Sequence, residues 1–175
     1  MKRLITFVLL MSFTSASFSS QAQNEDKSKR PSPLETVSRE LSNGVSISIQ
    51  YGQPSLKGRT IGKTVEPMEG EVWRTGANEA TVFETNKNVT IDGAKLPAGK
   101  YGLFTLFKGQ EVTFIFNKTW NQWGAFNYKE ANDQLRIKTK LTKGNANSEK
   151  MTFKIDKNGT VTLLWGDRKA SFNVK

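Results

Sequence analysis

Ten residues from Val72 to Thr81, reading VWRTGANEAT, hold the densest set of recognition side chains in this chain. Trp73 offers an indole face, Arg74 a guanidinium fork, Asn78 an amide and Glu79 a carboxylate, grouped around the helix-hostile Gly76. These types suit ligand recognition better than bond making. The chain has no histidine and no cysteine, so triads with a histidine base, His-ligated zinc and blue copper are excluded. No Ser-x-x-Lys stands in a helical setting, which leaves a Ser-Lys dyad a remote reading. Glycoside cleavage needs two carboxylates flanking one bond, and Glu79 is a candidate for one of them. Glu66, Glu69 and Glu71 read instead as a solvated acidic loop. Asp156-Lys157-Asn158-Gly159 and Asn132-Asp133 carry too few oxygen ligands for calcium and read as turns. Neither a metal nor a cofactor is expected.

A second group of candidates lies in NKTWNQWGAFNYKEAND, residues 117–133, where Trp120, Trp123 and Tyr128 stand among Asn117, Asn121, Gln122 and Asn127. Indole faces stack on sugar rings and side-chain amides bond to hydroxyls. A loop that merely closes one end of the fold would use the same aromatics. Arg59 and Arg74 together make a fork suited to a carboxylate, sulfate or phosphate. Set against that, Glu79 stands five residues beyond Arg74, and the expected arrangement is an internal ion pair across the turn at Gly76. The site expected is concave, framed by Tyr51, Arg59, Trp73, Arg74, Asn78 and Glu79, with Trp123 contributed by the long loop.

The elements that must position these residues follow a period of two. Val45, Ile47, Ile49 and Tyr51 alternate with Ser46, Ser48 and Gln50, as in a half-buried strand. Asn43-Gly44 signals a hairpin joining it to a strand around Thr36 to Leu41. Further strands are expected at Ala80–Thr85, Val89–Ile91, Tyr101–Phe107, Val112–Asn117, Leu135–Leu141, Met151–Ile155, Thr160–Trp165 and Ala170–Val174. Asp92-Gly93, Pro97-Ala98-Gly99, Lys108-Gly109 and Asn158-Gly159 separate them as turn formers. Only Lys129 to Asp133 has room for a helical turn. The expected fold is all-β: a two-sheet antiparallel sandwich, jelly-roll-like, of about nine or ten short strands. Phe104, Phe107, Phe114, Phe116, Phe153, Trp165 and Phe172 fall inside strands and are assigned to its core.

Lys2 and Arg3, an apolar run from Leu4 to Met11 and the small residues ending at Ala22 make a secretory leader over residues 1–22, too short for a membrane span. Residues 23–33 are polar and read as a disordered tether, leaving residues 34–175 as a single domain. With no cysteine, neither a disulfide nor lipoprotein acylation is available, so the core must hold alone. The expected product is soluble, periplasmic or extracellular. The full chain carries +10, and without Lys2 and Arg3 this falls to +8. Its lysines are scattered and no nucleic-acid motif accompanies them, so no nucleic-acid partner is expected. Arg136, Lys138 and Lys140 alternate along one strand and suit protection of a sheet edge.

Tyr51-Gly-Gln-Pro54, Lys57-Gly-Arg59, Ile61-Gly62, VWRTGANEAT, Leu96-Pro-Ala-Gly-Lys-Tyr101 and Trp123-Gly124 follow in an order that resembles the domain of unknown function 2911 family, from about Pro33 to Val174. That resemblance implies export, an origin mainly in Bacteroidetes-type bacteria and no established activity. The reading preferred from the residues is an exported domain binding a small molecule or glycan. The alternatives are a saccharide-acting enzyme with Glu79 as acid or base, and a non-catalytic cell-envelope interaction protein.

Overall fold

A computed structural model describes residues 26–175. The leader expected over residues 1–22 lies outside the described residues, as does its cleavage site. From Leu34 onward the chain is strand and turn apart from one 3-10 turn at Glu130–Asn132, inside the stretch Lys129 to Asp133 where a helical turn is expected. β1 (Leu34–Glu40) and β2 (Ser46–Gly52) are joined at Asn43-Gly44, where Gly44 has φ 71° and Leu41 donates its N–H to the Val45 carbonyl at 2.8 Å. β5 (Val89–Ile91) and β6 (Ala94–Leu96) meet at Asp92-Gly93, both with positive φ, as a type I′ hairpin turn requires. β10 (Thr142–Ile155) turns into β11 (Thr160–Asn173) through Asn158-Gly159, and the Asp156 carboxylate accepts the N–H groups of Asn158 and Thr160.

The larger layer is a seven-stranded antiparallel sheet. β2 pairs with β4 (Ala77–Thr85), β4 with β7 (Gly99–Lys108), β7 with β8 (Glu111–Asn117) and β8 with β9 (Asp133–Lys140). The short β3 (Val72–Trp73) takes over the edge of β7 beyond the point where β4 leaves it, with Trp73 opposite Thr105. β9 ends the sheet, so the alternating cations Arg136, Lys138 and Lys140 do lie on an edge strand.

The β10–β11 hairpin forms the second layer. β5 extends it, since Thr90 and Lys175 exchange backbone hydrogen bonds of 2.7 and 3.0 Å, and residues 54–56 border β10 on the opposite side. The expected all-β antiparallel sandwich is therefore the fold. Among the described residues it has eleven strands, because the two-residue β3 and three-residue β6 are too short to show a periodicity. Conversely, Thr160–Trp165 and Ala170–Val174 are largely one strand, β11, which passes through Gly166 at φ 58° near a register shift.

Aromatic rings join the layers. Phe172 of β11 packs against Phe114 at 4.8 Å, Phe116 at 5.6 Å and Phe83 at 6.3 Å between ring centroids, and Phe83 meets Phe116 at 5.1 Å. Such pairs contribute about 0.5–1.5 kcal/mol each beyond their burial. All seven aromatics assigned to the core are buried. On the sheet's other face, Ala80, Phe104 and Ile115 form a smaller cluster with Ala125 and Tyr128 of the long β8–β9 loop. Phe172→Ala should cost about 3–5 kcal/mol in urea unfolding, whereas the exposed Lys154→Ala should stay within about 0.5. Near-equal midpoints for the two variants would show that the ring cluster does not hold the layers together.

Candidate functional site

The inward half of VWRTGANEAT builds the fold. Trp73 is buried 6.4 Å from the Phe107 ring and donates its indole N–H to the Gly76 carbonyl at 3.1 Å. Thr75 holds φ 54°, an unfavourable region for a β-branched residue, and its hydroxyl meets that of Thr105 at 3.0 Å. Thr81 donates its hydroxyl to the Thr75 carbonyl at 2.8 Å, closing a buried polar network under the turn. A side chain on Gly52 would collide with the Ala77 carbonyl, and one on Gly76 would come within 2.9 Å of the Gly52 carbonyl. Two bare backbones thus let β2 and β4 approach at the motif.

Tyr51 is buried too, 5.1 Å from the Phe153 ring, with its hydroxyl accepting the Phe153 N–H at 3.3 Å. Arg59 is exposed and spends its guanidinium on its own turn, donating to the Leu56 and Ser55 carbonyls at 3.0 and 2.6 Å. The structure therefore places Tyr51 and Trp73 in the core and Arg59 in a separate turn. Asn78, Glu79 and Trp123 are the residues it brings together. Ala80 donates its N–H to the Gln122 carbonyl and Gly124 donates to the Asn78 carbonyl, so Trp123 lies in an antiparallel bridge with Glu79.

The residues expected as a tether also reach this surface. Lys27–Lys29 make a 3-10 turn capped by Asp26, and Lys27 meets Glu79 Oε1 at 2.7 Å. Arg30 Nη1 donates to both Glu79 oxygens at 3.0 Å, and its guanidinium stands 5.9 Å over the Trp123 ring. Asn78, itself at φ 66°, donates its amide to the Ser32 carbonyl at 3.1 Å. Burial alone would raise the Glu79 pKa, but hydrogen bonds from Lys27, its own backbone N–H and Arg30 win and hold it below the usual carboxylate range.

The expected Arg74–Glu79 pair is not formed. Glu79 takes Lys27 and Arg30, while Arg74 has Glu66 as its neighbouring charge and a buried Nε with no acceptor among the described residues. Burial lowers the Arg74 pKa, the Glu66 charge opposing it only in part.

The long loop has a rigid base. Asn117 donates to the Lys129 carbonyl and to Asp133, and Gln122 donates to the Thr119 carbonyl while accepting the Asn127 N–H. These two amides are structural, whereas Asn121 and Asn127 are exposed. Tyr128 donates its hydroxyl to Asp133 at 2.8 Å and receives Arg136 at 2.7 Å; burial and the Asp133 carboxylate push its pKa up to about 12. Above this base Trp120, Trp123 and Phe126 remain 38%, 54% and 82% exposed. Phe126 was the missed member, and its signal was an apolar ring in an otherwise polar loop. Surface hollows are lined by other residues, such as Ser38, Ser48 and Glu84 on β1–β2–β4 and Lys154, Thr162 and Lys169 on β10–β11. The exposed rings of the β8–β9 loop line neither of these hollows.

A family model described as a protein of unknown function, DUF2911, matches residues 32–174. The chain belongs to the DUF2911 family. No curated protein and no solved structure matches it significantly. In this DUF2911 chain no group of three or more Asp or Glu side chains is placed to hold a metal ion among the described residues. Nor, among them, is any helix long and apolar enough to cross a membrane.

Two outcomes follow from this geometry. Arg74→Met keeps the packed stem and removes a partly buried guanidinium whose Nε has no acceptor among the described residues and whose burial outweighs the attraction of Glu66, so its melting temperature should equal or exceed the parent's; a fall of more than about 4 °C, near 1 kcal/mol, would show that the Glu66 attraction outweighs that burial. All three tyrosines have raised pKa values, each chiefly through burial. Phenolate absorbance of the native protein at pH 10 should therefore lie well below that of the urea-unfolded chain, in which about half the phenols are ionised. The stabilisation from Tyr128 is complete below its unfolded value and is lost as pH rises through about 12.

Proposed function

We propose that this DUF2911 chain is an exported binding domain that holds a saccharide against the β8–β9 loop. The observation that carries the reading is the exposure of Trp120, Trp123 and Phe126 on a loop fixed from below by Asn117, Gln122 and the Tyr128–Asp133–Arg136 network. Rings held out to solvent give apolar faces for pyranose stacking, and the exposed amides of Asn121 and Asn127 stand beside them for hydroxyls. Export rests on the leader expected over residues 1–22, and cleavage would release a chain starting at Gln23. An exposed aromatic surface suits an extended glycan better than a small enclosed molecule.

Binding is favoured over catalysis by the state of Glu79. A general acid at neutral pH needs a raised pKa, and hydrogen bonds from two cations push this carboxylate the other way. With both oxygens engaged by Arg30, Glu79 is occupied by the chain itself.

Trp123→Ala and Phe126→Ala should each abolish retention on a glycan array or an insoluble polysaccharide, a loss of about 1–3 kcal/mol per ring by analogy with stacking on bases, while moving the melting temperature by no more than about 2 °C. Tyr128→Phe should instead weaken the loop and lower stability. If both aromatic variants bind like the parent, the loop is a closure of the sandwich and the saccharide reading falls.

A further inference from the structure

The side chains of Asn78 and Glu79 are engaged by one short piece of the same chain. Both Glu79 oxygens accept from Arg30, Oε1 also meets Lys27, and the Asn78 amide reaches the Ser32 carbonyl. Arg30 additionally faces the Trp123 ring. A carboxylate and an indole read cationic side chains, while a side-chain amide on a main-chain carbonyl reads the peptide backbone. Together these contacts are those of a peptide-recognition site.

We propose that Asn78, Glu79 and Trp123 form a receptor for a short basic peptide segment, and that Lys27–Ser32 is its resident occupant in cis. The segment is suited to the role. Pro31 and Pro33 restrict its backbone, and the Pro33 carbonyl is pinned by the Gln53 N–H at 2.8 Å, so docking orders few additional residues. A tether this short holds the basic residues at an effective concentration on the order of millimolar, enough for individually weak contacts to be populated. Glu79 is partly exposed, so the contact is salt-sensitive, the screening length shrinking from about 10 Å at 0.1 M salt to about 3 Å at 1 M. Any ligand that engages Asn78 or Glu79 must first displace this strap. Strap docking is read without a saccharide and stands or falls separately from the platform reading.

The test uses the full mature chain and limited trypsin digestion followed by intact mass. Trypsin cuts after Lys27 and Lys29, while the Arg30-Pro31 bond resists it. At low salt these two cuts should be about tenfold slower in the parent than in Arg30→Ala or Glu79→Gln, with the gap closing near 1 M salt. Arg30→Ala lies in the strap, so it decides the matter even if Glu79→Gln perturbs the sheet. Acrylamide quenching of the Trp123 component, taken as the difference from Trp123→Phe, should rise in Arg30→Ala. Equal cleavage rates in parent and variants, or a rate gap that ignores salt, would overturn the receptor. Slowed cleavage without a change in quenching would remove Trp123 from it.

Discussion

With no cysteine to staple them, the layers of this sandwich are joined chiefly by aromatic contact, densest around Phe172. That ring reaches three phenylalanines of the large sheet, two of them on β8 and one on β4. Rings packed this closely occupy the space between the layers around Phe172. The core also draws in Tyr51 and Trp73, whose rings close it around Phe153 and Phe107. The exposed aromatic rings and the outward end of the motif lie outside this core, on the β8–β9 loop and at the start of β4.

The close approach of Gly52 to Ala77 divides the motif into two parts. Where the two backbones touch, β4 begins, and upstream of it the chain passes through left-handed Thr75 before Asn78 repeats that conformation. Each such residue breaks the simple alternation of faces. Trp73 and Thr75 are consequently buried, while Asn78 and Glu79 remain near the surface beside Trp123. Substituting a larger residue for either glycine would act on the site by separating strands rather than by touching a ligand.

Much of the fold was legible because its signals are local. Asn43-Gly44, Asp92-Gly93 and Asn158-Gly159 mark real turns, and the alternation of Val45 to Tyr51 is the burial pattern of β2. The site was legible only in part, since composition shows which residues can recognise a ligand without showing which way they point. Tyr51 and Trp73 carry a polar atom and a large ring, and a core needs both when the polar atom finds a backbone partner, as it does here. Arg74 and Glu79 looked paired because they are five residues apart; the actual partner of Glu79 is Arg30, a contact across 49 positions that no local pattern encodes. Phe126 escaped notice because a single apolar residue in a polar loop carries no periodicity.

The electrostatics around Glu79 tie the motif to the chain's beginning. A half-buried carboxylate without partners would have its pKa raised and its charge weakened, and here two cations reverse that shift. Its depressed value means that the stabilisation from these contacts is present above the unfolded carboxylate pKa and is lost as pH falls through the folded one. At neutral pH the surface is thus held in its charged, occupied state. The Trp123 ring lies at the boundary of two surfaces, with Arg30 over its face and the exposed Trp120 and Phe126 on the same loop. On the proposed reading, a saccharide stacked on this loop and the strap docked on Glu79 would share one side chain, so either would change the other's affinity through Trp123 without any movement of the sandwich beneath.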